Sequence, residues 1–231
     1  MEKTNELLKK TWQKHAAIDN DVLGATGYVY CENEKQKDIL ITGINPSLRK
    51  NDNSSSYGYK FEDASGIYWN PIKKILKSES KELDYTHQAA YTDLFYFRRT
   101  DQKDLTKRIL KHPDGISFLV DQLRITQQTI EEIIKPKVIV IKNKESYAYW
   151  GKLAEKGYIW MGYEFEHIKD TPCGEVCRIK GFIKSNERVY PELVKSNLVG
   201  TIVLFSKHER ALKKDEKIDA AMINQLLGLY K

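Results

Sequence analysis

Cysteine is scarce in this chain: Cys31, Cys173 and Cys177 are the only three among 231 residues. Three cysteines cannot form an all-disulfide framework, and Cys173 and Cys177 have no matching Cys or His pair at the spacing of a zinc site. We therefore expect no metal and no other cofactor. The first residues also lack the apolar stretch of a secretory signal peptide, which favours the reducing environment of the cytoplasm.

Long hydrophobic runs are absent as well, and no apolar stretch has the length needed to cross a membrane. The sequence has no evident repeat and no change of composition typical of a linker, which favours one domain over residues 1–231. Its hydrophobic fraction of 41% is sufficient for a core, so extensive disorder is not expected.

Positive charge is what the chain has in excess, since 38 Lys and Arg residues outnumber 32 Asp and Glu residues and give a formal net charge of +6. Such an excess favours an anionic partner, because a positive surface attracts phosphate and releases counterions when nucleic acid binds. Lysine-rich proteins also carry similar charge simply as a solvated surface. Both interpretations stay open on charge alone.

Two apolar periodicities alternate along the chain. Strand patterns cover residues 38–44, 89–97, 138–141 and 198–205, and helical patterns cover 5–18, 67–76, 116–134, 145–156 and 218–229. This alternation predicts an α/β fold around a mainly parallel sheet of four strands. Residues 1–37 are predicted to form an N-terminal helical extension, and residues 158–185 a hairpin inserted before the last core strand.

The carboxyl ends of the predicted strands carry polar residues. In strand order these are Asn45, then Asp93 with Arg98 and Arg99, then Asn143, then His208. In open α/β sheets, ligands bind in a crevice beyond the carboxyl ends of the strands. Polar groups from four separate segments are therefore expected to meet in one crevice.

Several short motifs follow one another in the order and spacing of a known family. They are Gly43-Ile44-Asn45-Pro46-Ser47-Leu48, Gly58-Tyr59-Lys60-Phe61, Tyr68-Trp69, Tyr91-Thr92-Asp93-Leu94, Lys135-Pro136-Lys137 and Asn143-Lys144. Together they resemble the uracil-DNA glycosylase superfamily, most closely its mismatch-specific uracil/thymine branch, over residues 38–208. The resemblance implies a three-layer α/β/α sandwich with a central, mainly parallel four-stranded sheet.

The same resemblance implies a monofunctional DNA glycosylase, a hydrolase that flips a deaminated or mismatched base out of DNA and cleaves its N-glycosidic bond in base excision repair. Asn45 would hold the attacking water, and His208 would stabilise negative charge on the departing base. The remaining contacts would be made to the base by Ile44, Phe61, Asp93 and Asn143, and to the nucleic acid by Ser47, Arg98, Arg99, Lys144, Lys207 and Arg210.

The polar residues of this set also have structural interpretations. Asn45-Pro46 alone is typical of a turn after a strand, and a lone histidine such as His208 is commonly a surface residue. Asp93 stands where the superfamily often has asparagine, and it could instead brace a neighbouring arginine. Because an ionised aspartate only accepts hydrogen bonds, Asp93 would favour a base edge that donates, or its pKa would have to be raised.

The aromatic residues carry a similar ambiguity. Phe61 is predicted to stack on the flipped base, which is worth about 1–3 kcal/mol per base, but it could equally pack its loop onto the core. In that case Tyr57 or Tyr59 could take its place against the base. Tyr68 and Trp69 are predicted to be core residues of the helix that follows.

Two other functions stay open. Departures from the family pattern at Ser47, Asp93, Lys144 and Glu209 would suit a non-catalytic nucleic-acid-binding module of the same fold. An α/β enzyme acting on free nucleosides or nucleotides is the third possibility. For the leading function, the expected partner is DNA, single- or double-stranded, with no membrane and with the protein acting as a monomer.

Overall fold

The computed structural model describes residues 2–48, 55–101, 105–208 and 212–230. Its strands are β1 Val29–Cys31, β2 Ile39–Gly43, β3 Tyr57–Tyr59, β4 Ala89–Asp93, β5 Val138–Ile141, β6 Tyr163–Thr171, β7 Gly174–Phe182 and β8 Ile202–Ser206. Its α-helices are α1 Glu2–Lys14, α2 Ala16–Ile18, α3 Trp69–Lys74, α4 Gly115–Gln128, α5 Ser146–Trp150 and α6 Ala220–Leu227. Helix α4 continues into a π-helical turn, Thr129–Ile134.

Six strands form the main sheet, in the order β4-β2-β5-β8-β7-β6. The first four pair in parallel, whereas β7 runs antiparallel to both β8 and β6. The predicted α/β class with a mostly parallel sheet is confirmed, but the predicted number of four strands is wrong. The antiparallel pair β6–β7 lies within residues 158–185 and extends the sheet, because β7 pairs with the edge that β8 would otherwise leave open. Strands β1 and β3 form a separate parallel pair.

The central strands are buried along their length because helices cover both faces of the sheet. Leu40 and Ile139 pack into an apolar cluster that contains residues of α1 and α4. Their chain neighbours Ile41 and Val140 point the opposite way, as the period of two requires, and pack with α3 and α6. The almost continuous apolar runs in the sequence therefore reflect a sheet flanked by helices on both sides.

The N-terminal helix is part of the core. Leu8 is fully buried and Trp12 is 8% exposed, and both belong to the cluster on one face of the sheet. His15 Nε2 lies 2.8 Å from the Asp121 carboxylate on α4, and the Tyr28 hydroxyl donates to Asn5 Oδ1 at 2.7 Å. These contacts hold α1 against α4 and against the segment that leads into β1.

Some element boundaries differ from the sequence prediction. The strand predicted over 89–97 ends at Asp93, although residues 94–97 remain buried and Phe97 forms an isolated bridge with Tyr28. The helix predicted over 145–156 ends at Trp150, because Gly151 adopts a left-handed conformation with φ of +97°. No helix in the described ranges is long and apolar enough to cross a membrane.

Candidate active site

A cavity of about 1110 Å³ opens beyond the carboxyl ends of β2, β4 and β5. Its walls come from residues 42–48 at the end of β2 and beyond it, from β4 and the segment after it, from Lys142 and Asn143 after β5, and from an aromatic segment within 57–72. The sheet order explains this position. In the sheet, β4 lies on one side of β2 and β5 lies on the other side. The connections that follow β2 and β4 therefore run in opposite directions across the sheet and leave a crevice at the carboxyl end of β2.

Asn45 is 9% exposed and its side-chain amide is oriented by two backbone carbonyls. Nδ2 donates to the Arg99 carbonyl at 2.7 Å and to the Pro46 carbonyl at 3.0 Å. Because carbonyl oxygens only accept, these partners determine which end of the amide carries the nitrogen. No donor within the described part of the chain reaches Oδ1, which is therefore left to accept a hydrogen bond from a molecule in the cavity.

The loop that carries Asn45 is fastened to the segment after β4. The Arg99 N–H donates to the Pro46 carbonyl at 2.9 Å, and the Thr100 hydroxyl donates to the Leu48 carbonyl. Backbone bonds from Leu94 to Gly43 and from Phe95 to Ile44 continue the same contact toward the sheet. Two strand ends that are distant in sequence thus hold one loop in place.

Asp93 forms the deep polar end of the cavity. Its Oδ1 accepts from the Tyr91 hydroxyl at 2.9 Å, and that hydroxyl lies 2.8 Å from the Tyr68 hydroxyl. Gly43 lies opposite Asp93 across the strand pair, where an added Cβ would come within 2.1 Å of Asp93 Oδ1 and 2.3 Å of the Tyr91 oxygen. Glycine is needed here for close approach, because a side chain would displace the hydrogen-bonded pair.

Burial raises the pKa of Asp93 to about 7, and the hydrogen bond from Tyr91 partly opposes this shift. In the described residues Asp93 pairs with the Tyr91 hydroxyl and with neither Arg98 nor Arg99, so the interpretation that Asp93 braces one of these arginines does not fit. The Asp93 carboxyl therefore holds its proton to a higher pH than an exposed aspartate does.

Aromatic rings form one wall of the cavity. Tyr57 and Tyr68 are 48% and 43% exposed, and Tyr59, Trp69 and Tyr91 complete the wall. The Trp69 ring lies 5.2 Å from Tyr59, 4.9 Å from Tyr68 and 4.9 Å from Tyr91 between ring centroids. Tyr68 and Trp69, predicted to be core residues of a helix, thus line the cavity.

Phe61, the residue predicted to stack on a base, lies elsewhere. It is 4% exposed, outside the cavity lining, and packed against Trp69 and Tyr91 with ring centroids 5.9 Å and 6.0 Å away. A ring covered by two others has no face left for a base, so the stacking prediction for Phe61 is wrong. The alternative that Phe61 packs its loop onto the core matches this position.

Asn143 and Lys142 bring polar groups from the end of β5. Asn143 Oδ1 accepts from the Glu145 N–H at 2.8 Å, which leaves the two Nδ2 hydrogens as donors on the side chain that lines the cavity. Ile44 and Ser47 also line the cavity, but the Ile44 side chain is buried in the core and its carbonyl accepts from Phe95.

His208 does not meet Asn45 in this cavity. It is exposed, it follows β8, and it lies outside the cavity lining. Because β8 is two strands away from β2, their ends are separated by about 9–10 Å at the usual strand spacing. His208 therefore does not share the cavity lining with Asn45, and its contact with the departing base stays a prediction.

The predicted nucleic-acid contacts are divided in the same way. Lys144 and Lys207 are exposed outside the cavity, and Arg210 lies outside the described residues. Arg98 is 1% exposed and its guanidinium lies 5.5 Å from the centroid of the Tyr57 ring, so direct phosphate contact by Arg98 does not fit the structure. Arg99 lines the cavity and donates to the Val22 carbonyl at 2.8 Å.

Two kinds of cavity residue were missed by sequence reasoning. Tyr91 could have been found, because it lies two positions before Asp93 on one strand and so faces the same side. Lys142 directly precedes the predicted Asn143. Tyr68 and Trp69 offered no such signal, because an aromatic pair at the start of a helix is equally suited to a core.

Comparison of the chain with protein-family models, curated proteins and solved structures found no match.

Proposed function

We propose that this chain is a monofunctional DNA glycosylase of the uracil-DNA glycosylase type, which hydrolyses the N-glycosidic bond of a deaminated or mismatched base. One observation carries the proposal. Asn45 lies two residues after the end of β2. Its amide nitrogen donates to two backbone carbonyls, and its amide oxygen is left for a molecule in the cavity. An acceptor anchored in this way is suited to orient a water molecule.

Cleavage of a glycosidic bond proceeds through a transition state with oxocarbenium character, so the attacking water needs orientation more than deprotonation. In the proposed mechanism Asn45 Oδ1 accepts a hydrogen bond from this water and directs its oxygen toward the anomeric carbon. A C–O bond forms as the bond to the base breaks, the electron pair of the broken bond leaves with the base, and the proton lost by the attacking water passes through solvent to the anionic base. In this mechanism Asn143, a residue of the cavity lining whose Oδ1 is already engaged, donates from Nδ2 to the charge that develops on the base.

The aromatic wall supports binding of a flat, extruded base. Tyr57 and Tyr68 keep large exposed fractions while lining the cavity, so each can present ring surface to a ligand. Stacking of a base on an aromatic side chain contributes about 1–3 kcal/mol and tolerates any base. Selection among bases then falls to the polar groups, above all Asp93. Exposed Lys144 and Lys207 and the net charge of +6 would favour the phosphate backbone.

The test compares base release from oligonucleotides that contain uracil, hypoxanthine, xanthine or mispaired thymine, scored as abasic sites. Asn45→Ala is expected to lower the rate about 100-fold or more, because the water loses its acceptor. Asn33→Ala is a matched control. Asn33 Nδ2 also donates to two backbone carbonyls, at 3.3 Å and 3.1 Å, and Asn33 lies outside the cavity lining.

The control separates a catalytic loss from a structural one, because both variants lose the same type of hydrogen bond. Equal loss of activity in both would remove the assignment of Asn45. The proposal is falsified if the wild-type protein leaves no abasic site in any of the four substrates.

A second candidate, hydrolysis of free nucleosides or nucleotides, is favoured by one observation. Lys144, Lys207 and His208, three described residues that would extend a site along a nucleic-acid strand, lie outside the cavity lining. Turnover of a free nucleoside by a protein with no affinity for oligonucleotides would select this candidate. Salt-dependent oligonucleotide binding that Asn45→Ala leaves intact, with no base release, would instead identify a non-catalytic binding module.

A further inference from the structure

The two oxygens of the Asp93 carboxyl have different surroundings. Oδ1 is occupied, because it accepts from Tyr91 at 2.9 Å and lies where Gly43 leaves space for it. No hydrogen-bond donor in the described ranges contacts Oδ2. Asp93 lines the cavity with 7% of its surface exposed, so Oδ2 is the oxygen left to meet a ligand.

Arg99 and Lys142 are cationic groups in the lining of this cavity, and five titratable side chains packed around Asp93 itself are acids that stay neutral near pH 7. Tyr91 and Tyr96 come from its own strand and its end, Tyr68 from the start of α3, Tyr59 from β3 and Cys31 from β1. Burial is the main cause that raises the pKa of each of them above its ordinary value. None of them can therefore supply a countercharge to an ionised Asp93, and burial raises the pKa of Asp93 to about 7.

The hydrogen bond from Tyr91 leaves Oδ2 as the oxygen that can present the Asp93 proton to the cavity. With Tyr91 donating to Oδ1, as in this structure, the proton of a neutral Asp93 carboxyl is carried by Oδ2. The protonated carboxyl then presents an O–H donor to the cavity, whereas the ionised carboxylate presents an acceptor at the same point. One atom thus offers opposite hydrogen-bonding characters in the two protonation states.

Deamination of a base exchanges these same two characters. Cytosine carries an amino donor at position 4 and adenine one at position 6, whereas a carbonyl acceptor occupies the position in a uracil-type or guanine-type edge. A donor at Oδ2 therefore matches the deaminated base, and an acceptor at Oδ2 matches its parent.

We propose that Asp93 Oδ2 selects the base by donating to the carbonyl of a deaminated base when protonated and by accepting from the amine of the parent base when ionised. This inference rests on the proposed function, because it assumes that the cavity receives a base. It makes Asp93 a specificity-determining residue whose preference reverses with pH. Discrimination in favour of deaminated bases is then greatest on the acid side of neutrality.

Binding of the free bases uracil and cytosine tests this inference without requiring catalysis. Calorimetric dissociation constants are measured at several values from about pH 5.5 to about pH 8.5, a range in which neither base ionises. The preference for uracil over cytosine is expected to fall at least about tenfold as pH rises across this range. In Asp93→Asn, Tyr91 still donates to Oδ1 and the amide NH₂ replaces Oδ2, so uracil should be preferred at every pH.

Tyr91→Phe provides a second variant. Loss of the hydroxyl removes a hydrogen bond that lowers the pKa of Asp93, so the change of preference should move to higher pH. A uracil-to-cytosine ratio that is constant with pH in the wild-type protein overturns the inference, as does failure of both bases to bind. A pH-dependent ratio without any abasic product would retain the Asp93 inference and remove the glycosylase function.

Discussion

Gly43 ends β2 directly against the hydrogen-bonded pair of Tyr91 and Asp93. A methyl group there would lie 2.1 Å from Asp93 Oδ1, which is far inside van der Waals contact. Gly43→Ala is therefore expected to destabilise the fold by about 1–3 kcal/mol, as overpacking of a close contact does. Gly228→Ala is the control, because its nearest neighbour would be 3.4 Å away and its backbone is already helical.

Urea unfolding monitored by Trp fluorescence measures both glycine variants. The unfolding free energy of Gly228→Ala should remain within about 0.5 kcal/mol of the wild-type value. A Gly43→Ala midpoint equal to that of the wild type would show that the pair can move aside without cost.

Asp93 should also make stability depend on pH. Its pKa rises from 3.8 to about 7 on folding, so between these values the folded chain retains a proton that the unfolded chain loses. The Asp93 contribution to the unfolding free energy therefore falls as pH rises through this window and stays low above it. Asp93→Asn removes this dependence. The unfolding free energy of the variant, relative to that of the wild type, should therefore be higher above neutrality than at acid pH by on the order of 4 kcal/mol.

The comparison requires unfolding curves for both proteins at acid and at mildly alkaline pH. Burial also raises the pKa of Asp19 and of Glu131, but both residues are present in both proteins and their effects cancel in the difference. Parallel stability curves for the two proteins across the window would contradict the raised pKa of Asp93.

At the scale of elements, α1 is expected to contribute to the stability of the whole sheet. Leu8 is fully buried within the apolar cluster that contains Leu40 and Ile139. Leu8→Ala should therefore lower the unfolding free energy by about 2–5 kcal/mol, because it removes buried methyl groups and leaves a cavity. Lys10→Ala, exposed on the same helix, should change it by less than about 0.5 kcal/mol.

Thermal unfolding followed by circular dichroism checks this expectation in both helix variants. A single transition that moves to lower temperature in Leu8→Ala identifies α1 as part of one cooperative unit. If the main transition stays in place and only a small helical signal is lost earlier, α1 is an appendage.

At the scale of the molecule, the proposed function predicts that the carboxyl edge of the sheet carries the salt-dependent part of nucleic-acid binding. Lys144 and Lys207 are exposed just beyond β5 and β8. Replacing both with Glu should weaken oligonucleotide binding at low salt and reduce the slope of log affinity against log salt by about 2, or about one per lysine. Lys135→Glu is the control, because Lys135 is exposed at the opposite edge, before β5 begins.

Fluorescence anisotropy with a labelled oligonucleotide over a series of salt concentrations gives these slopes. A reduction by Lys135→Glu that equals the reduction per substitution in the double variant would mean that net charge rather than this edge attracts the nucleic acid. Unchanged slopes in the double variant would place the contact surface elsewhere.

Much of the sheet could be predicted because the information is local. The runs that form β2, β5 and β8 are almost wholly apolar and rich in β-branched residues, a pattern typical of strands covered on both faces. Parallel strands place their carboxyl ends at one edge, so Asn45, Asp93 and Asn143 could be expected to line one cavity. The structure brings these three residues together.

Burial and lateral position were decided only by the tertiary structure, because both depend on contacts between segments distant in the chain. Phe61 is covered by Trp69 and Tyr91, and nothing in its own motif distinguishes a ring that meets a base from one that packs beneath other rings. The separation of His208 from Asn45 follows from the order of strands in the sheet. The sequence by itself thus determined which strand ends carry polar groups, and the packing of the sheet and its helices determined which of those groups share the cavity.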